Sequence, residues 1–296
     1  MKMLICSDGS PQAENAIQFG GRIASLCQAE VTILGIPENP VDEEKIYNAL
    51  KHGQQFLRQQ YRVTSEAVVR AGRPLVEIVQ QTQGTPYDLV VIASGRKATH
   101  GLFWMSRRTY RIIKAVEPPV LVAVGERVAL QRILVCSGGW KSASGAVDLV
   151  GEIAKRAGAA VTLFHVMAEP PAMYADLLRM EEDPDFLERS DSELSKDLKR
   201  EKELLEEAGA NCRLRVAHGL VVPAILKEVR QEDYDLIVIG SYPSPAGLQN
   251  YMLGNITREI VNRIDRPVLV VRSARKPVGF LRSLLNLTDA LARSKG

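Results

Sequence analysis

The chain has 296 residues, of which 46% are hydrophobic and 25% are charged, and its formal net charge at pH 7 is +3. A chain of this length is expected to form about two domains, each able to bury a core. The basic residues are dispersed, which argues against nucleic-acid binding, and no apolar run approaches the ~20 residues of a membrane-spanning helix. Because the chain opens on a strand-like segment without the pattern of a signal peptide, we expect a cytoplasmic protein.

Strand-like and helix-like segments alternate along the chain. Most strand-like runs are continuously apolar, which is typical of parallel strands covered on both faces. The predicted strands are 3–7, 31–36, 66–70, 88–93 and 119–124, followed by 132–137, 160–166, 212–217, 235–240 and 267–272. Helical periodicity predicts helices over 12–27, 42–61, 73–81, 142–157, 194–208 and 222–231. This alternation predicts an α/β fold with doubly wound parallel sheets and right-handed crossovers.

The two series of elements share sequence as well as order. Residues 3–10 return as 133–140, 30–34 as 160–164, 87–92 as 234–239, and 119–122 as 267–270. Landmarks that recur in one order indicate a duplicated domain. We therefore predict copy one over residues 1–127 and copy two over residues 131–275, joined by a short linker.

Two segments depart from the repeat. The offset between the copies grows from 130 to 147, so copy two carries about 17 extra residues, mostly within the acidic stretch 168–205. This stretch is interpreted as a solvated surface excursion or as an arm that docks a partner. Residues 276–296 are predicted to form an amphipathic helical tail that packs on the body or on a sister subunit. Two arginines in that tail, Arg282 and Arg293, give weak support for membrane-surface binding.

Cysteine and histidine spacings predict neither catalysis nor metal binding. Cys6 and Cys136 occupy equivalent strand positions, and no cysteine lies in a CxxC motif, so small buried side chains are expected. The four histidines share no metal-ligand spacing, and His165 is expected in the core or at a pocket rim. We predict no metal site and no Ser/His/Asp or Cys/His catalytic set.

Three motifs occur in both halves: the opening strand, a Tyr-Asp-Leu strand before a loop, and a closing Pro-Val-Leu-Val strand. With Asp8-Gly9-Ser10 after the first strand, the chain resembles a tandem member of the universal stress protein family. The resemblance implies two Rossmann-like domains of the adenine nucleotide alpha hydrolase type, packed as an internal pseudo-dimer. It also implies that the closing strands, near 120–124 and 268–272, pair edge to edge and so bury otherwise exposed edges.

In the nucleotide-binding branch of that family, an aspartate after the first strand meets adenosine. A Gly-x2-Gly-x9-Gly-Ser loop after the fourth strand holds the ribose and phosphates. Copy two keeps the first and last glycines as Gly240 and Gly254, and Asn255 and Thr257 are able to cap the following helix and donate to an oxygen. Pro243 replaces the middle glycine and removes a backbone donor, and Gly138 stands in place of the aspartate.

Copy one departs from the family pattern in the opposite way. It keeps the aspartate as Asp8, but its loop has lost the glycines and the terminal serine. Basic residues occupy the loop instead, namely Arg96, Lys97, Arg107 and Arg108. They are interpreted either as a basic patch facing solvent or a subunit, or as side chains that neutralise phosphates.

The segment Ser137-Gly138-Gly139-Trp140-Lys141-Ser142 resembles the pyrophosphate loop of ATP pyrophosphatases, with Lys141 in place of an aspartate. Three interpretations remain open: a tight turn, a non-catalytic anion site at a helix N-terminus, or an active pyrophosphatase.

The sequence as a whole predicts a non-catalytic stress-response or regulatory protein with at most one weakened adenine-nucleotide site. ATP or AMP is the expected ligand, copy two is the favoured half, and protein partners or a homo-oligomer are expected. The alternatives are an interaction scaffold that binds no nucleotide and, more distantly, an ATP-pyrophosphatase-like enzyme. The candidate nucleotide-binding residues are Ser137, Gly138, Gly139, Val166, Gly240, Gly254, Asn255 and Thr257, with Asp8 in copy one.

Overall fold

The secondary structure alternates between strands and helices in both halves. A computed structural model describes residues 1–93, 97–99, 102–104, 107–138, 147–168, 191–241 and 255–272. The α-helices are α1 Pro11–Cys27, α2 Glu43–Phe56, α3 Pro74–Gly84, α4 Arg107–Ala115, α5 Val147–Ala157, α6 Glu193–Glu207, α7 Val221–Gln231 and α8 Asn255–Arg263. A 3-10 helix, Pro40–Asp42, precedes α2, and a π-helix, Leu57–Tyr61, follows it. The strands of copy one are β1 Lys2–Ser7, β2 Glu30–Gly35, β3 Ser65–Val69, β4 Leu89–Ala93, β5 Lys97–Thr99, β6 Leu102–Trp104 and β7 Val120–Ala123. Those of copy two are β8 Arg132–Ser137, β9 Ala160–Met167, β10 Asn211–His218, β11 Leu236–Ser241 and β12 Val268–Arg272.

Ten of these strands form one continuous sheet, with the order β10-β9-β8-β11-β12-β7-β4-β1-β2-β3. Neighbouring strands within each half are parallel, whereas β12 and β7 pair antiparallel, with Val268 opposite Val122. The edge-to-edge pairing of the closing strands is therefore confirmed. The short strands β5 and β6 form a separate antiparallel pair that the sequence did not predict.

The apolar strands are covered on both faces by helices, as their composition predicted. One apolar cluster lies between the sheet and α1, α2, α5 and α6, and the other lies between the sheet and α3, α4, α7 and α8. Leu4 faces the second cluster, while Met3 and Ile5 face the first, because successive strand side chains point to opposite faces. Each cluster contains residues of both halves. Because helices cover both faces of a mostly parallel sheet, the α/β, doubly wound fold class is confirmed.

The repeated Tyr-Asp landmark has a structural role in each half. The carboxylate of Asp88 accepts a hydrogen bond of 2.7 Å from the Lys2 backbone N–H, at the start of β1. Asp235 accepts hydrogen bonds from the backbone N–H groups of Gln131 (2.7 Å) and Arg132 (3.1 Å), at the start of β8. Each aspartate therefore satisfies a backbone donor that the neighbouring strand leaves free.

The observed strands agree with the predicted ones to within two residues. Helix α5 begins at Val147, and residues 142–146 of the predicted helix lie outside the described residues. The same holds for the predicted tail 276–296 and for most of the acidic stretch, where the described part is α6 and its approach. Within the described ranges, no helix is both long and apolar enough to cross a membrane.

Candidate functional site: two equivalent pockets

Each half contains a cavity where the strand order reverses. In copy one the order reverses between β1 and β4, and in copy two it reverses between β8 and β11. Doubly wound sheets bind ligands in this crevice, beyond the carboxyl ends of the strands. The first pocket, in copy one, has a volume of about 390 Å³, and the second pocket, in copy two, has a volume of about 410 Å³.

The two pockets are built from corresponding positions. The first pocket is lined by Cys6, Ser7, Asp8, Ile36, Pro74, Ile78, Ile92, Ala93, Arg108, Thr109 and Ile112. Their counterparts, in the same order, all line the second pocket and are Cys136, Ser137, Gly138, Val166, Val221, Ile225, Ile239, Gly240, Ile256, Thr257 and Ile260. Phe164 and His165 complete the second pocket. The sequence duplication is therefore also a duplication of the crevice.

Five predicted nucleotide-binding residues line the second pocket together. They come from the ends of three strands and the first turn of α8, and they are Ser137, Gly138, Val166, Gly240 and Thr257. Asn255 is the first residue of α8, and its side chain is not described. Gly139 and Gly254 lie outside the described residues.

His165, which was predicted to lie in the core or at a pocket rim, lines the second pocket. Its Nδ1 atom lies 3.0 Å from the Ser137 carbonyl oxygen. Since a carbonyl oxygen only accepts, this contact assigns the imidazole proton to Nδ1. Burial lowers the pKa of His165 below its ordinary value, and the Ser137 carbonyl opposes this shift. The imidazole is therefore neutral at pH 7, with Nε2 as an acceptor.

The first pocket carries charged groups that already have partners. The carboxylate of Asp8 is exposed and accepts a hydrogen bond of 3.0 Å from the Ser10 backbone N–H, beside the N-terminus of α1. The Arg108 guanidinium donates two hydrogen bonds to the Glu38 carboxylate, at 2.5 and 3.1 Å. Arg108, one of the basic residues interpreted from the sequence as able to neutralise phosphates, is thus paired with a carboxylate 70 residues away.

The thiols of the two pockets are unreactive. Burial raises the pKa of Cys6 and of Cys136 to about 12, so both remain protonated at pH 7 and are poor nucleophiles. All four cysteines are free. Among the described residues, no group of three or more His, Cys, Asp or Glu side chains is placed to hold a metal ion.

A buried carboxyl group lies behind the second pocket. Glu201 on α6 is fully buried, and its carboxylate lies close to the Ser137 hydroxyl but makes no hydrogen bond of ordinary geometry within the described part of the chain. Burial raises the pKa of Glu201 to about 7, and the nearby Ser137 hydroxyl acts in the opposite direction. On α2 of copy one the corresponding residue is Gly53, between Leu50 and Leu57 as Glu201 is between Leu198 and Leu205.

A third cavity, of about 820 Å³, lies along the outer side of β10 and the adjacent face of α7. It is larger than either crevice cavity, but the predicted nucleotide-binding residues do not line it. It also lies at the edge strand β10, away from the strand-order reversal at which such sheets bind ligands. We therefore locate the candidate site in the crevices.

A doubly wound arrangement of five parallel strands that occurs twice within one sheet, with a cavity at each strand-order reversal, defines a tandem Rossmann-like α/β protein. The model of the universal stress protein family matches residues 1–123 and 129–272, and the chain belongs to this family. The tandem family resemblance seen in the sequence is thereby confirmed. Membership supports a role in the stress response.

Known relatives agree with this assignment. Universal stress protein YxiE of Bacillus subtilis (strain 168) is 27% identical over 146 residues, which are 48% of this chain and 98% of that protein. The crystal structure of a universal stress protein from Archaeoglobus fulgidus DSM 4304 has a TM-score of 0.68 at 18% identity, covering 92% of this chain and 98% of that one. A putative universal stress protein from Pseudomonas aeruginosa UCBPP-PA14 has a TM-score of 0.67 at 16% identity, covering 92% of each chain. The two structures share the whole-chain fold.

Proposed function

We propose that the chain is a cytoplasmic, non-catalytic stress-response protein whose second pocket binds the adenosine part of an adenine nucleotide, such as ATP or AMP. The observation that carries the proposal is the convergence of Ser137, Gly138, Val166, Gly240 and Thr257 on one cavity. The binding is expected to be weak, because Gly138 offers no carboxylate to the ligand.

The walls of the second pocket suit a flat heteroaromatic base. Ligand pockets of ~300–1,000 Å³ are typically apolar with a few convergent polar groups, and the second pocket falls within this range. Ile225, Ile239 and Ile260 supply apolar surface, while the Thr257 hydroxyl and the His165 imidazole supply hydrogen-bonding groups. The protonated Cys136 thiol at the same site supports binding without covalent chemistry.

An interaction scaffold that binds no nucleotide is the second candidate. It is favoured by the missing aspartate at Gly138 in copy two and by the Arg108–Glu38 ion pair in copy one. As a scaffold, the chain would act through protein partners or a homo-oligomer, and neither pocket would bind a nucleotide.

Calorimetric titration of the intact protein with adenosine, AMP and ATP at up to millimolar concentration separates these candidates. We expect one adenosine per chain. Absence of heat with all three ligands would reject the nucleotide proposal and leave the scaffold.

A matched pair of variants assigns the pocket. Thr257 and Thr109 are buried at corresponding positions of α8 and α4. Loss of one neutral hydrogen bond weakens binding by about 1 kcal/mol, or about fivefold. We expect Thr257→Val to weaken adenosine binding by this factor and Thr109→Val to leave it unchanged. The reverse result would move the site to the first pocket.

A further inference from the structure

The rims of the two pockets differ in charge although their walls correspond. Where the first pocket has Arg108, the second has Ile256, which is 46% exposed. Just before α3, copy one has the exposed Arg73, whereas copy two has Leu220, which is 76% exposed, just before α7. The partly exposed apolar side chain of Ile256 thus lies at the second pocket where copy one has the Arg108 guanidinium group, whereas Leu220 lines the third cavity.

The loop that follows the fourth strand of each half shows the same difference. In copy one, residues 93–109 contain four Lys or Arg residues, one histidine and no acidic residue. In copy two, residues 241–257 contain no acidic and no basic residue. This contrast belongs to the sequence itself, so it applies to every residue of both loops.

The second pocket is also neutral within. None of the described residues that line it has an acidic or basic side chain apart from His165, whose imidazole is neutral at pH 7. The first basic residue of α8, Arg258, lies over the Tyr110 ring of copy one at 5.7 Å from the ring centroid. The carboxylate nearest to the Cys136 thiol belongs to Glu228, and its counter-ion Arg215, at 3.2 Å, is already paired with it. A phosphate group in this pocket would therefore meet no counter-charge from these groups.

We propose that the second pocket selects an uncharged nucleoside over its phosphorylated forms, with Ile256 as the specificity-determining residue at the rim. This inference rests on the proposed function, because it takes the adenosine moiety as the common part of the ligands. The inference goes beyond the proposed function because it predicts the order of affinities: adenosine first, AMP second and ATP third.

The expected size of the effect follows from desolvation. An anion that loses part of its water shell without a counter-charge is strongly destabilised when buried, and less so when it stays near solvent. The phosphates would lie at the rim and stay partly hydrated, so we expect ATP to bind about tenfold more weakly than adenosine.

The first experiment is a calorimetric comparison of adenosine, AMP and ATP on the wild-type protein at low and high salt. We expect adenosine to bind tightest at both. If ATP binds as tightly as adenosine or more tightly, the selectivity is refuted while nucleotide binding stands. If none of the three binds, the proposed function fails, and the selectivity fails with it.

The second experiment transfers the charge of copy one to copy two. Ile256→Arg introduces the residue that copy one carries at this position, and we expect the ratio of ATP affinity to adenosine affinity to rise about tenfold. Val41→Arg is the control, because Val41 is an exposed valine of copy one that lies outside both pockets. An equal gain in the control would show a general charge effect and would overturn the role of the rim.

A third variant tests the loop 139–146, in which Lys141 is the single basic residue. We expect Lys141→Ala to leave the order of affinities unchanged. If ATP affinity falls in this variant below that of the wild type while adenosine affinity is kept, Lys141 supplies a phosphate contact and the proposed neutrality of the site is wrong.

Discussion

The two pockets have the same walls and different charges. Every residue that lines the first pocket has a counterpart in the second, and the apolar positions stay apolar. The charges do not follow this rule, because Asp8 and Arg108 are replaced by Gly138 and Ile256. Glu38, the partner of Arg108, is likewise replaced by the exposed Ala168. Apolar packing thus preserves the shape of a crevice, while a few charged positions decide what it accepts.

A buried polar pair in each half of the chain varies in the same manner. In copy one, the Gln81 amide donates a hydrogen bond of 2.8 Å to the Tyr87 hydroxyl. In copy two, the Tyr234 hydroxyl donates a hydrogen bond of 2.7 Å to the Glu228 carboxylate, which is also paired with Arg215 at 3.2 Å. In this comparison, copy two has a carboxylate with a counter-ion where copy one has a neutral amide.

The largest expected effect concerns Glu201, which has a glycine as its counterpart in copy one. Its pKa is raised to about 7 from an ordinary 4.5, so the folded state holds a proton that the unfolded state releases between these pH values. Stability therefore falls as pH rises from about 4.5 to about 7 and levels off above, by about 3 kcal/mol for this group.

We expect Glu201→Gln to remove this part of the pH dependence and to be more stable than the wild type at pH 8. Denaturation in urea at pH 5, 6, 7 and 8 measures the slope. Glu203→Gln is the control, since Glu203 is exposed on the same helix. An unchanged slope in the Glu201 variant would show that this carboxyl titrates normally.

The second effect concerns Arg215. Removal of one partner of a buried ion pair leaves the other charge uncompensated. We expect Arg215→Val to destabilise the protein by about 2 kcal/mol, a value reduced because Arg215 is partly exposed. Valine is the residue that copy one has at this place, Val68, as the strand registers indicate.

The double variant Arg215→Val, Glu228→Gln reproduces the neutral pair of copy one. We expect it to recover most of the lost stability, and a double-mutant cycle in urea measures the coupling. Additive losses in the two single variants would show that the arginine and the carboxylate do not stabilise each other.

The smallest effect concerns the Arg108–Glu38 pair of the first pocket. Both side chains are about half exposed, and such pairs contribute about 0.5 kcal/mol. We expect Glu38→Gln to lower stability by this amount at low salt and by less at 1 M salt, because salt screens exposed charges. Thermal denaturation at the two salt concentrations checks this, and a salt-independent loss would contradict it.

The fold was predictable because its main signals are local. Continuous apolar runs located the strands of the large sheet, and the repeat identified two equivalent units. Strands β5 and β6 were not predicted, since three residues are too few to show a period. Pairing of the closing strands came from the family resemblance, because strand propensity alone does not choose partners.

The site was predictable only in part. Crevice residues follow from the ends of the strands, and Ser137, Gly240 and Thr257 line one cavity, while their contact with a nucleotide stays a prediction. Glu38 is far from Arg108 in sequence, and no local pattern indicates that they pair. The burial of Glu201 is indicated by the sequence, because Glu201 lies three residues after Leu198 and four before Leu205, on the apolar face of α6.

Hydrogen exchange of the intact protein with and without adenosine tests most directly which pocket binds. We predict slower exchange at the ends of β8 and β9 and in the first turns of α8, with no change at the corresponding segments of β1, β2 and α4. Slower exchange confined to the copy-one segments, or no slowing in either half at saturating adenosine, would contradict it.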